Sequence, residues 1–328
     1  MDEAIIDIQD LHTYFFTDDG TVRAVDGVNL KIEKNKTLGL VGESGCGKST
    51  VALSILRLIP WPGKIVGGKV LFDGENLLEK TKEEIRGIRG KEISLIFQDP
   101  TASLNPVFNI DDQLSEVLKL HQNLEKSEIH QKLIDMLDKV GISDAEIRLL
   151  HYPHEFSGGM KQRIMIAMAL LCQPKLLIAD EPTTSLDVTI QAQILELMKE
   201  LKQVYGSSML LITHNLGVVA ELADVIAVMY AGKVVECSDS LTIFERPVHP
   251  YTKALLQSIP RVDIEQETIK GIPGFVPSLI HPPPGCRFQP RCKYAIDRCI
   301  REEPPLEEVA QDHQVACFRW KEIIDGKI

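Results

Sequence analysis

The chain has 328 residues, 44% of them apolar and 25% charged, with 36 basic against 47 acidic side chains and a formal net charge of −11. That balance fits a globular protein with one large domain and a small one, and it argues against nucleic acid or an anionic lipid surface as the main partner. The longest apolar runs, such as Val225–Tyr230, are far too short to cross a bilayer, and the acidic start Met1-Asp2-Glu3 lacks the basic region of a signal peptide, so the expected compartment is the cytosol.

Through residue 245, β-branched runs alternate with amphipathic stretches, which predicts an α/β domain. Tyr14, Phe15 and Phe16 come first; on their own they read as strand or core aromatics. Thr37–Val41 predicts a buried strand and Lys48–Ile59 the helix that follows it. Between them, Gly42-Glu43-Ser44-Gly45-Cys46-Gly47-Lys48-Ser49 fits G-x-x-x-x-G-K-S in the strand-to-helix setting that motif requires. The glycines let backbone N–H groups, through Thr50, turn inward around phosphates, and the helix N-terminus adds its positive dipole end. Lys48 is placed to reach the β- and γ-phosphates, and Ser49 to ligate Mg²⁺.

Ile93–Phe97 predicts another buried strand, ending at Gln98, and Asp111–Val140 reads as wholly helical within a helical region of about residues 100–170. That region closes with Phe156-Ser157-Gly158-Gly159-Met160, a turn opening a helix. Ser157, Gly158 and Gly159 supply a second set of phosphate-facing backbone groups that the first loop does not need, and such a surplus makes sense if it serves the nucleotide of another subunit. Lys175–Ala179 predicts a strand ending in Asp180 and Glu181. Open parallel sheets bind ligands at that end of a strand, so Asp180 is expected to hold Mg²⁺ through water and Glu181 to act as base for a water attacking the γ-phosphate. His214 follows the strand Ser208–Thr213; it can hydrogen-bond the γ-phosphate, as Gln98 can orient the water or touch Mg²⁺. Alone, each of these two is an ordinary surface polar residue, and only their place at strand ends argues otherwise.

Beyond residue 245 the composition shifts, with Pro247, Pro250, Pro260, Pro273, Pro277 and Pro282-Pro283-Pro284 breaking regular structure. Residues 246–328 therefore read as a small, loop-rich module. It holds Cys286, Cys292, Cys299 and Cys317, spaced C-x5-C-x6-C-x17-C. Four cytosolic thiols in so short a segment read as a metal site stapling it. Structural zinc favours paired close-spaced cysteines, which are absent; an iron–sulfur cubane accepts looser spacing, and the spacing alone leaves both open beside four unliganded thiols.

The phosphate loop, Gln98, the Ser-Gly-Gly turn, Leu176–Glu181, Ser185-Leu186-Asp187 and His214 follow one another in the order that resembles ATP-binding cassette (ABC) ATPases. The resemblance implies an α/β fold: a RecA-like P-loop core with an antiparallel β subdomain and a helical signature subdomain, over residues 1–245. It also implies a head-to-tail dimer with two ATPs between the phosphate loop of one subunit and the signature of the other. Ser157, Gly158 and Gly159 would then act in trans, the loop Ser185–Asp187 would lie at the interface, and an upstream aromatic, Phe15 by its spacing, would stack on adenine. Phe156 and Met160 depart from the commonest Leu-Ser-Gly-Gly-Gln signature, which removes a Gln side-chain contact.

Asp99–Pro106, Arg246–Thr252, Ile272-Pro273-Gly274 and the Pro-Pro-Gly-Cys segment narrow the resemblance to the oligopeptide/dipeptide importer ATPases. That family implies a [4Fe-4S] cluster on Cys286, Cys292, Cys299 and Cys317, with zinc as the runner-up. It further implies a second ATPase subunit (a sister chain or a second copy of this one), two membrane permeases, an extracytoplasmic peptide-binding protein, no nucleic-acid partner, and a peripheral place on the cytoplasmic face of the membrane. Import of another cargo by the same machinery (a nickel complex or a sugar) is the alternative, ahead of an ABC ATPase acting on ribosomes.

Overall fold

The computed structural model describes residues 3–184, 186–258 and 271–328, so the expectations for Ser185 and Pro260 lie outside the described residues. The chain forms two compact units. The first contains Glu33–Lys36 and Glu79–Leu211. In it, strands Ile93–Ile96 and Leu176–Asp180 pair in parallel, with Ile93 opposite Leu176 and Ile96 opposite Ala179. Both are mostly apolar and mostly buried, as parallel strands covered on two faces must be. Five helices lie between them: Pro100–Ser103, Ile110–His121, Lys126–Lys139, Ala145–Arg148 and Gly158–Leu170.

The stretch expected to be one helix over 111–140 is two. Gln122 is extended (φ −132°, ψ 140°), and a new helix starts where the Glu125 amide donates to the Glu128 carboxylate at 2.8 Å. The apolar stripes survive the break, since Ile110, Leu114 and Leu118 are buried on one helix and Ile129, Leu133, Met136 and Leu137 on the next. A capping pair of two acidic residues inside a charged stretch gives little warning in the sequence.

The second unit comprises Ile6–Ile32, Thr37–Leu78 and Ile212–Ile328. One sheet has the order Gly20–Glu33, Ala4–Thr17, Gly63–Phe72, Glu75–Asn76, with Ala4–Thr17 antiparallel to Gly63–Phe72. A second set of strands runs Glu307–Ala310, His313–Val315, Lys233–Asp239, Val225–Tyr230, Thr37–Val41; only the last pair is parallel. All five residues of Thr37–Val41 are buried, and the strand delivers the chain into Gly42. The helix after the loop spans Lys48–Ile55, shorter than the expected Lys48–Ile59, because Arg57 turns left-handed (φ 53°).

The described residues beyond 245 join this unit through its core. Tyr251 and Phe288 pack with Tyr230, ring centroids 4.6 and 5.2 Å away, beside Val41, Val228 and Ile243. Burying two such rings contributes on the order of 2–3 kcal/mol each. The fully buried Glu236 fixes the entry of this segment, accepting from the Val248 and His249 amides at 2.7 and 2.9 Å and pairing with His313 at 2.8 Å. Among the described residues, no helix is long and apolar enough to cross a membrane.

Candidate functional site

The phosphate loop is built from the second unit alone. Gly47 sits at φ +106°, and a Cβ there would stand 2.1 Å from the Ala24 carbonyl oxygen, so only glycine closes this turn. Lys48 is buried, and its Nζ donates to the Gly42 and Glu43 carbonyls at 2.8 and 3.0 Å, which curls the loop around the ammonium. Cys46 is buried beneath it, and burial pushes its thiol up, so it stays protonated. Ser44, Gly45 and Ser49 face outward, and a Cβ on Gly45 would meet nothing within 4 Å. An open rim over a ring of backbone donors, with a lysine at its centre, fits a bound polyphosphate with Mg²⁺.

Of the three aromatics, Tyr14 is committed elsewhere: its hydroxyl donates 2.6 Å to Asp26. Burial and that bond raise Tyr14 to about 12. Burial alone would raise the Asp26 carboxyl, but the Tyr14 hydroxyl, Lys233 and Arg287 outweigh it and hold it below its ordinary range. Phe15 is half-buried against Gly63, its partner in the strand register. By strand alternation it shares a face with Thr13, which bonds Ser54 of the loop's helix at 2.8 Å. Phe16 points to the other face and is 47% exposed.

In the first unit, the parallel pairing of Ile93–Ile96 with Leu176–Asp180 carries Gln98 to the strand end that bears Asp180 and Glu181. Gln98 Nε2 donates to Glu181 Oε2 at 2.9 Å, and the Thr184 hydroxyl donates to the same oxygen at 2.9 Å. Glu181 has φ +47°, a left-handed backbone that is costly for a side-chain-bearing residue and typical of functional positions. The sequence pointed to Gln98 and Glu181, 83 positions apart, and the structure brings them together; it adds Thr184 as a third member.

The Ser-Gly-Gly turn is an exposed helix N-terminus. Ser157 is the N-cap of Gly158–Leu170, its hydroxyl accepting from the Met160 amide at 3.3 Å, while Ser157 and Gly158 face solvent. A Cβ on Gly159 would meet Ile190 Cγ2 at 2.8 Å. Phe156 is buried beside Arg148 and His151, so the departure from leucine is a packing change beneath the turn. Asp187 caps the helix Val188–Tyr205 by accepting from the Ile190 amide at 3.0 Å. In the second unit, His214 is exposed at the end of Ser208–Thr213, ahead of a helix capped by Asn215.

Cys286, Cys292, Cys299 and Cys317 line one small cavity of about 20 Å³, with His249, Phe288 and Phe318. Burial, opposed by a backbone N–H bond at each and reinforced by the neighbouring thiols, pushes Cys286 up to about 12 and Cys317 up to about 11. The donor set has the chemistry of a thiolate site, but its arrangement differs from the expected metal centre. Among the described residues, no group of three or more His, Cys, Asp or Glu side chains is placed to hold a metal ion.

Comparison with known proteins gives two family matches, the ABC transporter family over residues 25–184 and the oligopeptide/dipeptide transporter C-terminal region over residues 235–299. The chain is 48% identical to the oligopeptide transport ATP-binding protein OppD of Escherichia coli (strain K12), covering 97% of this chain and 94% of that one. It is 49% identical to the dipeptide transport ATP-binding protein DppD of Bacillus subtilis (strain 168), covering 96% and 95%. A solved dimeric bacterial ABC transporter cassette matches with a TM-score of 0.64 and 25% identity, over 72% of this chain and 98% of that one. CbiO1 from Clostridium perfringens, part of an ABC transporter complex, matches with a TM-score of 0.64 and 27% identity, over 75% and 93%.

Proposed function

The chain belongs to the ABC transporter ATP-binding subunits of the oligopeptide/dipeptide family, and on that premise we propose how its residues share the work. It is the ATP-binding, ATP-hydrolysing subunit of a peptide or dipeptide importer. The observation that carries this is the near-full-length likeness, cassette and C-terminal region together, to peptide transport ATP-binding proteins.

Lys48 and the amides of Gly42–Thr50 hold the nucleotide phosphates; Ser49, and Asp180 through water, would hold Mg²⁺, which would supply positive charge to the phosphates when bound. Glu181 takes the proton of the attacking water. The Gln98 amide, 2.9 Å away, and the Thr184 hydroxyl fix its carboxylate, and Gln98 would also be a ligand to Mg²⁺ when the metal is bound. His214 donates to the γ-phosphate. Phe15 stacks on adenine, a role supported by its strand face; the exposed ring of Phe16 is the competitor, and alanine at each position, read by ATP affinity, separates them.

Ser157, Gly158 and Gly159 complete the site of a second ATPase subunit, a reading supported by their exposure and by the dimeric form of the solved cassette. Two membrane permeases and an extracytoplasmic binding protein make up the rest of the importer, with this chain peripheral on the cytoplasmic face. Cys286, Cys292, Cys299 and Cys317, which line one cavity, would be the residues to hold a [4Fe-4S] cluster of structural role, by closing further than they do here; iron and sulfide assay of anaerobically isolated protein tests this, and a colourless, zinc-loaded protein refutes it. The domain limits follow as 1–245 for the cassette and 246–328 for the extension.

Uptake of labelled di- and oligopeptides by a strain lacking this chain tests the function as a whole. The wild-type gene restores uptake and Glu181→Gln does not. Restored uptake of a nickel complex or a sugar, with peptide uptake unaffected, moves the cargo assignment to that class.

A further inference from the structure

The C-terminal segment reaches back onto the phosphate loop at Glu43, 248 positions from Arg291 in sequence. Arg291, beside Cys292 at the end of a short 3₁₀ turn, has a side chain only 3% exposed. Its two terminal nitrogens donate to the two oxygens of the Glu43 carboxylate at 2.7 and 3.1 Å. The remaining donors are also used: Nε bonds the Pro273 carbonyl at 2.8 Å, Nη2 the Ile272 carbonyl at 3.2 Å, and Nη1 the Tyr230 hydroxyl at 3.3 Å. The guanidinium is therefore anchored in the tail and the core, and its fork sets the direction as well as the distance of Glu43.

A second contact comes from the same segment. The Glu43 amide donates to the hydroxyl of the buried Tyr251 at 2.9 Å. Glu43 is thus gripped twice by the tail, at its amide and its carboxylate, while its carbonyl accepts from Lys48 Nζ at 3.0 Å. When Lys48 trades loop carbonyls for phosphate oxygens, the tail contacts still define the shape of the loop. A loop fixed in advance loses less freedom on binding than one that must order.

We propose that Arg291 and Tyr251 are positioning residues for the phosphate loop, so that the C-terminal segment sets this chain's own affinity for ATP. The inference rests on the reading of Gly42–Ser49 as the nucleotide loop, and the test separates the two.

Full-length chain is titrated with a fluorescent ATP analogue (N-methylanthraniloyl-ATP), followed by steady-state hydrolysis and thermal melting. Arg291→Lys keeps the charge and loses the fork; Glu43→Gln keeps the shape and loses the carboxylate. Each weakens binding by about tenfold, the size of a charge-assisted bidentate contact, and Arg291→Lys keeps turnover at saturating ATP close to wild type. Tyr251→Phe, which removes one hydroxyl from an intact ring, weakens binding by about fivefold. The Arg291→Lys, Glu43→Gln double variant is no worse than either single one, because both remove the same contact. Wild-type affinity in Arg291→Lys and Glu43→Gln, with or without a lower melting temperature, overturns the proposal, as does an additive double variant. Lys48→Ala serves as the reference. If it binds as wild type, the nucleotide-loop reading fails; if it loses binding while the Arg291 and Glu43 variants keep it, only the positioning role fails.

Discussion

Two glycine-rich turns open helices in this chain, and they are finished differently. At the phosphate loop both charged side chains are engaged from within the chain: Lys48 is buried on two carbonyls and Glu43 is bonded by Tyr251 and Arg291, while Gly47 packs under the Ala24 carbonyl. The Ser-Gly-Gly turn has a capping bond at 3.3 Å, and its Ser157 and Gly158 face solvent. A turn that binds its own chain's ligand is shaped in advance by that chain. A turn that serves a partner's ligand can stand open until the partner arrives. The glycines reflect the same contrast: backbone blocks a side chain at Gly47, whereas only the movable Ile190 side chain crowds Gly159.

The largest expected effect concerns the chemistry both turns are proposed to serve. Glu181→Gln lowers turnover by at least about 100-fold while ATP binding stays intact, since the amide keeps the bond to Gln98 but cannot take a proton; steady-state hydrolysis beside equilibrium binding checks this. Gly47→Ala abolishes binding of ATP by the isolated chain and costs about 1–3 kcal/mol of stability, because a φ of +106° and the Ala24 carbonyl both exclude a Cβ. Gly158→Asp gives the opposite pattern: hydrolysis by the assembled dimer falls by about 100-fold while nucleotide binding by the isolated chain holds, as a carboxylate placed on a helix N-terminus competes with a partner's phosphate.

A smaller effect probes the clamp on the first turn. Burial pushes His249 from its ordinary 6.5 down to about 4, and its Nδ1 accepts from the Tyr251 amide at 3.1 Å. The unfolded chain takes up a proton near pH 6.5 and the folded one only near 4, so this contribution to stability is complete above that window and is lost as pH falls through it. The melting temperature therefore drops across this range more steeply in wild type than in His249→Gln. The smallest effect is that of Phe156→Leu, which costs about 1 kcal/mol in denaturant unfolding and leaves turnover unchanged, because the ring packs beneath the second turn and does not touch ligand.

Much of this site was legible in the sequence because its parts are local. The phosphate loop is eight consecutive residues, and Gln98, Asp180 and Glu181 each end an apolar run that parallel pairing aligns. What escaped had no local signal. The break at Gln122 rests on one capping contact, and the strands Glu307–Ala310 and His313–Val315 are too short to show a period. Arg291 lies in a proline-rich stretch where nothing marks it as the partner of Glu43. The thiols were visible by spacing, yet spacing says nothing of whether they close around a metal, and among the described residues they line a cavity without forming a metal-holding group.

The trans role of the second turn can be read in one experiment on mixed dimers. One chain carries Lys48→Ala and the other Gly158→Asp, and pairs holding both are isolated through two different affinity tags. Dimers of either variant alone have both sites damaged. If the Ser-Gly-Gly turn completes the partner's site, the mixed pair gathers both lesions into one site and leaves the other whole, so hydrolysis returns to about half the wild-type rate. Mixed pairs as inactive as the single-variant dimers contradict the account.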